Sequence, residues 1–362
     1  MLLNALRMPS TCCRLVAPQW DILIRTARRA RLLGTLAFRL AREPNVSPPP
    51  VARRMLDAAR LEARFRRQKV VYLLDAVKPL LSRTASCAVL LKGAAYVMQD
   101  RDVAAGRMPA DVDIMVRRAE LPAVEAALLD AGWQGEQLEP YDEHYYRAWS
   151  HELPPMRCAG QALELDLHHA ILPPLGAAMP DTEVLLAESV LVGDGAFRVL
   201  SGIDQVLHVA AHLFQDSDCT NRLRDLVDFA LLIEEVGVHQ RVEDFAERIV
   251  VRSQRFGLAD ALAYTAAFAG SWMDSQGALA IVSRLDAESF RTTYGKSRWV
   301  VSLAAKSLPP PHPDSRPAVL LGAALQGLLA ARAVWLRMPL RHVALHTVTK
   351  AWRAVARRLV RT

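Results

Sequence analysis

Two acidic residues separated by one position are the feature of this sequence most suited to chemistry. Asp111 and Asp113 begin the run Asp111–Val116, whose start alternates polar and apolar as a half-buried strand does. Because successive side chains of a strand point to opposite faces, both carboxylates lie on one face, roughly 6 to 7 Å apart. Carboxylates at that spacing can share a pair of hard cations.

A second acidic strand is predicted over Ala162–His168, where leucines alternate with Glu164, Asp166 and His168. If this strand lies beside the first, Asp166 becomes a third carboxylate. Two magnesium ions about 3.5 to 4 Å apart can stabilise the attacking and leaving oxygens of an in-line displacement at phosphorus. Asp111 and Asp113 would bridge the metals, and Asp166 would ligate one of them and help remove the acceptor's proton. Magnesium, or manganese in its place, is the expected cofactor.

A glycine turn supplies a candidate phosphate site. The apolar run Ala88–Leu91 predicts a buried strand, Lys92-Gly93 a turn, and Ala94–Gln99 a helix. Gly93 would let backbone N–H groups and the helix N-terminus approach phosphate.

The elements around these motifs predict an α+β fold, with a small mixed sheet over residues 85–200. The core adds a loop from Arg101 to Pro109, a helix over Leu121–Ala131, an extended piece from Trp133 and a strand over Tyr145–Leu153. A helical region is expected at 1–84, with one helix from Trp20 to about Leu40 and another from Val51 towards Leu81. A second helical region at 201–306 packs on the core, and a basic helical tail covers 307–362. Helices are predicted there over Val206–Phe214, Leu223–Val236, Val242–Val251, Leu258–Phe268, Ala318–Trp335 and Val343–Val360.

The three motifs Leu90–Ala95, Asp111–Val116 and Leu163–His168 together resemble a known family. It is the bacterial nucleotidyltransferase-like family, an uncharacterised nucleotidyltransferase group of the DNA polymerase beta superfamily, in which "lKG", "DiDlLv" and "vDlHw" recur in this order. The resemblance covers roughly residues 20–236. It implies the superfamily fold, a metal-dependent site, and transfer of a nucleoside monophosphate from a triphosphate to an acceptor hydroxyl.

One position departs from the wider superfamily, which has a serine after the glycine of the turn. Here Ala94 follows Gly93, and Lys92 is the residue we expect to compensate electrostatically, as a compact cation near the polyphosphate. The expected nucleotide-binding residues are Lys92, Gly93, Ala94 and Arg222. The departure keeps open an alternative, a catalytically silent nucleotide- or partner-binding module with the same fold.

Three further groups of residues each have two interpretations. Arg222 and Arg224, with Asp225 and Asp228, either contact the nucleotide or form local ion pairs. His208, His212 and Asp216 recur every four residues, a spacing compatible with a metal, but we favour a structural role. The aromatic stretch from Tyr141 to Trp149 either stacks on a base or sugar or reflects the enrichment of aromatics in sheets.

The distribution of charge along the chain indicates what kind of partner it binds, and its cysteines indicate the cellular compartment. Residues 1–69 carry 15 basic and 4 acidic side chains, and the chain after Asp314 carries 9 basic and none acidic, so the middle is acidic. Basic ends suit an anionic partner: nucleic acid is not favoured, and peripheral membrane contact through the tail is an open alternative. Five cysteines without a CxxC pair, no secretory signal and a buried-helix interpretation of Pro317–Leu336 favour a cytoplasmic protein.

Overall fold

The computed structural model describes residues 1–176, 178–217, 219–237, 241–285, 298–310, 312–314, 327–334 and 336. Within these ranges the chain forms one seven-stranded mixed sheet with helices before and after it, so the predicted α+β class is confirmed. The domain boundaries stay a prediction. Most of the predicted tail, including the helix over Val343–Val360, lies outside the described residues.

The strands follow one another in the sheet in the order β3-β4-β5-β2-β1-β7-β6. Their ranges are β1 (Val89–Leu90), β2 (Asp111–Met115), β3 (Trp133–Gly135), β4 (Met156–Cys158), β5 (Glu164–His168), β6 (Val190–Val192) and β7 (Phe197–Val199). Central strand β2 runs antiparallel to β1 and parallel to β5. Val112, Ile114, Leu165 and Leu167 are fully buried, which leaves the polar residues of β2 and β5 on the other face.

Four helices precede the sheet: α1 (Leu2–Arg7), α2 (Ala17–Arg29), α3 (Leu33–Leu40) and α4 (Pro50–Thr84). The prediction of one helix from Trp20 to Leu40 is wrong. Arg31 adopts a left-handed conformation (φ 56°), and the Leu32 N–H donates to the Ala27 carbonyl at 2.8 Å, an arrangement that ends a helix. A glycine usually marks such an end, but here the residue is arginine, so no local sequence signal predicts the break.

Four helices lie between the strands: α5 (Lys92–Met98), α6 (Leu121–Asp130), α7 (Pro140–Trp149) and α8 (Thr182–Ala187). The strand predicted over Tyr145–Leu153 is wrong for residues 145–149, because the whole aromatic stretch belongs to α7. Only its last part is extended, where Glu152 forms a β-bridge with His168. Local signals explain this helix: Pro140 occupies its first turn, acidic residues follow it, and Glu143 pairs with Arg147 four residues later at 3.2 Å.

After the sheet come α9 (Gly202–Phe214), α10 (Leu223–Gly237), α11 (Val242–Arg255), α12 (Ala259–Met273), α13 (Gln276–Arg284) and α14 (Arg298–Ser307). Helices α9 to α13 pack against one another. Across the described ranges, no helix has both the length and the apolar character needed to cross a bilayer. All five cysteines are free, as predicted.

Two glycines bring the N-terminal helices into direct backbone contact with the segment that leads into β2. A Cβ added to Gly34, in α3, would lie 2.1 Å from the carbonyl oxygen of Gly106. Gly106 itself has φ +82°, a conformation that side chains disfavour. The contact therefore fixes the position of the chain five residues before Asp111.

Gly34→Ala is expected to lower the free energy of unfolding by about 2 kcal/mol or more, because the added methyl group meets backbone that cannot rotate away. Urea titration would measure this. Gly135→Ala is the matched control, since a Cβ there meets nothing within 4 Å. Equal stability of the two variants would contradict the proposed contact.

Candidate active site

The register between β2 and β5 brings the acidic residues together. Asp113 is paired with Asp166, and Asp111 with Glu164, in neighbouring parallel strands. Strands in a sheet lie about 4.8 Å apart, and directly paired residues point to the same face. Asp111, Asp113 and Asp166 all line one cavity of about 450 Å³. The strand that bears Asp166 therefore lies beside the strand that bears Asp111 and Asp113.

The cavity wall is rich in charge of both signs. Its cationic residues come from four separate parts of the chain and are Arg31, Lys92, Arg107, Arg222 and Arg224. Tyr145 and Tyr146 of α7 also line it, so the aromatic stretch contributes to the cavity rather than to the sheet. A wall of this kind, with carboxylates on the floor, suits a polyphosphate together with its cations.

Asp113 is the most enclosed of the three carboxylates, with 3% exposure. Its Oδ1 accepts hydrogen bonds from Lys92 Nζ at 2.7 Å and from His168 Nε2 at 2.9 Å. Although burial acts to raise the pKa of Asp113, the charge of Lys92 and the hydrogen bond from His168 hold it well below the ordinary value. Asp113 is thus fixed in position and ionised.

The pKa values of Asp166 and Asp111 are raised, in contrast to that of Asp113. Burial, followed by the charges of Asp113 and Glu152, raises the pKa of Asp166 to about 7. Limited hydration and then Asp113 also raise the pKa of Asp111. Among the described residues, the buried Oδ1 of Asp166 has no hydrogen-bond partner. Burial and the neighbouring carboxylates therefore both disfavour the ionised forms of Asp166 and Asp111.

Most of the chain matches one known protein family. A family model described as an uncharacterised nucleotidyltransferase matches residues 17–274. The chain belongs to this nucleotidyltransferase family. It is accordingly an enzyme that transfers phosphorus-containing groups. The matched range runs from the start of α2 past the end of α12 and includes every strand that bears the site. Searches of curated proteins and of solved structures returned no match.

The glycine turn of this nucleotidyltransferase differs from the expectation. Helix α5 begins at Lys92, and the left-handed conformation falls on Lys92 (φ 43°) rather than on Gly93. Lys92 lines the cavity, but Gly93 and Ala94 are buried and are not among its lining residues. A Cβ on Gly93 would lie 3.2 Å from Nε of Arg107, so the glycine makes room for that side chain.

Arg222 lines the cavity and also takes part in an ion-pair cluster. Oδ2 of Asp225 lies 3.4 Å from Nη1 of Arg222 and 3.5 Å from Nδ1 of His212. Its Oδ1 lies 3.1 Å from Nη2 of Arg224. Burial acts to raise the pKa of Asp225, but His212 and the arginines hold it well below the ordinary value. Both interpretations of Arg222 are therefore compatible with its position: it forms local ion pairs and faces the cavity.

Asp228 and His208 are buried and do not line the cavity. Asp228 pairs with the distant Arg107 in a buried contact, not with its neighbours in sequence. His208 is 3% exposed, and burial lowers its pKa well below the ordinary value. Within the described ranges, the residues grouped closely enough to hold a metal do not include His208, His212 or Asp216. His212 and Asp216 nevertheless line the cavity, and the structural role that we favoured for the two histidines stays a prediction.

Sequence reasoning missed two residues beside the carboxylates, His151 and Glu152. The candidate ligand atoms of His151, Glu152 and His168 lie within 4.8 Å of one another. A β-bridge between Glu152 and His168 brings them together, and His168 Nε2 lies 3.2 Å from Glu152. The polar face of β5 already pointed to His168. Nothing in the run Ser150–Leu153 indicated that it folds back onto β5.

His168 is a positioning residue for Asp113. A carboxylate can only accept, so Nε2 carries the proton and donates to it. His168→Gln is expected to lower kcat by about 10- to 100-fold, because Asp113 loses the hydrogen bond that orients it. His169→Gln is the matched control, because buried His169 donates instead to the Ser150 carbonyl at 3.1 Å. Equal losses in both variants, in proportion to stability, would contradict this role.

Proposed function

We propose that this nucleotidyltransferase transfers a nucleoside monophosphate from a nucleoside triphosphate to an acceptor hydroxyl, with divalent cations held by Asp111, Asp113 and Asp166. The observation that carries the proposal is the pairing of Asp113 with Asp166 across two parallel strands, with Asp111 on the same face. Three carboxylates converging in one cavity are the arrangement that this reaction requires.

The residues present fit a magnesium ion. Asp111, Asp113 and Asp166 offer oxygen ligands, which magnesium prefers, and manganese accepts the same ligands. Oδ1 of Asp166 is buried with no partner in the described part of the chain, as expected of an atom that awaits a ligand. When bound, the metal neutralises the charge that develops on the phosphoryl oxygens and on the leaving group.

The side chains of the cavity have separate tasks in this scheme. Arg31, Arg222 and Arg224 present positive charge to the triphosphate, while Lys92 holds Asp113 in place. The acceptor oxygen forms a bond to the α-phosphorus, the bond to the bridging oxygen breaks, and pyrophosphate leaves. The acceptor's proton passes to a carboxylate, and we assign this role to Asp166. The cytoplasm is the compartment we propose.

A labelling experiment tests the proposal. Each α-labelled nucleoside triphosphate would be incubated with the protein, magnesium and fractions of a cell extract. We expect label to move to an acceptor or to the protein itself, to stop when a chelator is added, and to resume with added magnesium or manganese. A wild-type chain that binds nucleotide but never transfers label would favour the catalytically silent module, the alternative that Ala94 suggests.

A further inference from the structure

An apolar groove adjoins the catalytic cavity. It lies between α4, the junction of α2 and α3, and the segment before β2, and its volume is about 760 Å³. The groove and the cavity share four lining residues: Arg31, Pro109, Ala110 and Arg224. Since Ala110 directly precedes Asp111, a molecule in the groove reaches the carboxylates without leaving the protein surface.

The floor of the groove is apolar and accessible. It includes Leu33, Met108 and three residues at helical spacing on α4, Val51, Met55 and Ala58. Val51 is 56% exposed and Met55 38%, although the adjacent face of α4 is buried. Apolar side chains exposed together in a concave site are typical of ligand binding.

Positive charge surrounds this floor. Five arginines and one glutamate line the groove: Arg28, Arg31, Arg54, Arg66, Arg224 and Glu62. Glu62 pairs with Arg66 at 2.8 Å, and Arg224 contacts Asp225. As far as the structure describes the chain, Arg28, Arg31 and Arg54 form no salt bridge. The groove therefore complements a molecule that is both apolar and anionic.

We infer that this groove binds the acceptor, and that the acceptor is an amphiphile with an apolar portion and a phosphate or carboxylate group. The inference rests on the proposed function, which requires an acceptor to approach Asp111 and Asp166. The donor's triphosphate suits the charged cavity, and its base can stack on Tyr145 and Tyr146 in the same wall. This leaves the apolar floor of the groove for the acceptor. The volume suits a small molecule or the end of a chain.

Binding of simple amphiphiles tests this without turnover. Decyl phosphate and decanoate would be titrated into the full-length protein by calorimetry, below their micellar concentrations and without nucleotide or metal. We expect one or both to bind, and decyltrimethylammonium and inorganic phosphate not to bind. Met55→Glu and Arg54→Glu are each expected to weaken binding at least about tenfold, because they place negative charge on the floor or reverse it at the rim.

Matched variants on the same helix serve as controls. Leu61→Glu changes a residue that is 69% exposed outside the groove, and Arg53→Glu changes the neighbour of Arg54 on another face. Both are expected to bind decyl phosphate as the wild type does. Equal weakening in these controls, equal binding of the cationic amphiphile, or no binding by the wild type would overturn the inference. Failure of the proposed function shows separately, as absence of magnesium-dependent transfer by a protein whose groove still binds.

Discussion

Asp113→Asn is expected to lower the kcat of nucleotidyl transfer by at least about 1000-fold, because the stabilisation that a metal ion provides amounts to several kcal/mol and each factor of ten corresponds to about 1.4 kcal/mol. We expect Asp113 to be the most sensitive of the three carboxylates. It is nearly fully buried, held by Lys92 and His168, and paired with Asp166 across the sheet. Asparagine keeps the shape and one accepting oxygen, but not the charge.

The comparison needs a second acid and a measure of folding. Asp130→Asn alters an exposed aspartate at the end of α6, and its activity is expected to equal that of the wild type. Thermal unfolding would show whether Asp113→Asn remains folded, since Lys92 loses its counter-ion. A folded Asp113→Asn variant with more than about a tenth of wild-type activity at saturating magnesium would remove Asp113 from the metal site.

Asp228→Ala is expected to produce the largest loss of stability, about 3 to 5 kcal/mol, because it leaves the buried Arg107 guanidinium without its partner. The side chains of Arg107 and Asp228 are 9% and 7% exposed, and the guanidinium carbon of Arg107 also lies 5.3 Å from the centre of the Tyr96 ring. This pair ties the segment before β2 to α10. Chemical denaturation monitored by circular dichroism would measure the loss.

The cost of an unpaired charge can be separated from the value of the pair. The double variant Arg107→Met/Asp228→Leu removes both charges, and it is expected to recover most of the stability lost in Asp228→Ala. Asp57→Ala, which removes an exposed pair with Arg60, is the control and is expected to cost less than about 1 kcal/mol. If Asp228→Ala cost no more than Asp57→Ala, the buried pair would not contribute as argued.

The β2 and β5 motifs show what the local sequence pattern can predict and what it cannot. Period-2 alternation with leucines and isoleucine on one side identified both strands and the face that bears Asp111, Asp113 and Asp166. It could not show that the two strands are neighbours, that they run parallel, or that Asp113 faces Asp166. Register depends on the packing of the whole sheet, to which residues from Val89 to Val199 contribute.

The two wrong predictions, the single helix from Trp20 to Leu40 and the strand over Tyr145–Leu153, also arise because local pattern does not reveal tertiary contacts. The chain leaves α2 through left-handed Arg31, without a glycine or proline, and Arg31 lines the cavity. The stretch around Tyr145 has the aromatic composition of a strand, but Pro140 and the Glu143–Arg147 pair stabilise a helix. Composition is a weak guide where capping and tertiary contact decide the outcome.

By itself the sequence determined the fold class, the family resemblance, the acidic strands and the cysteines' lack of pairing, because each follows from periodicity, motif or count within a short stretch. Only the tertiary structure decided which residues meet. It brought His151 and Glu152 to His168, paired Arg107 with Asp228, and placed the apolar groove beside Asp111. Contacts of this kind join residues that are distant in sequence: Arg107 and Asp228 are 121 positions apart. They depend on how complete elements pack, which no local pattern encodes.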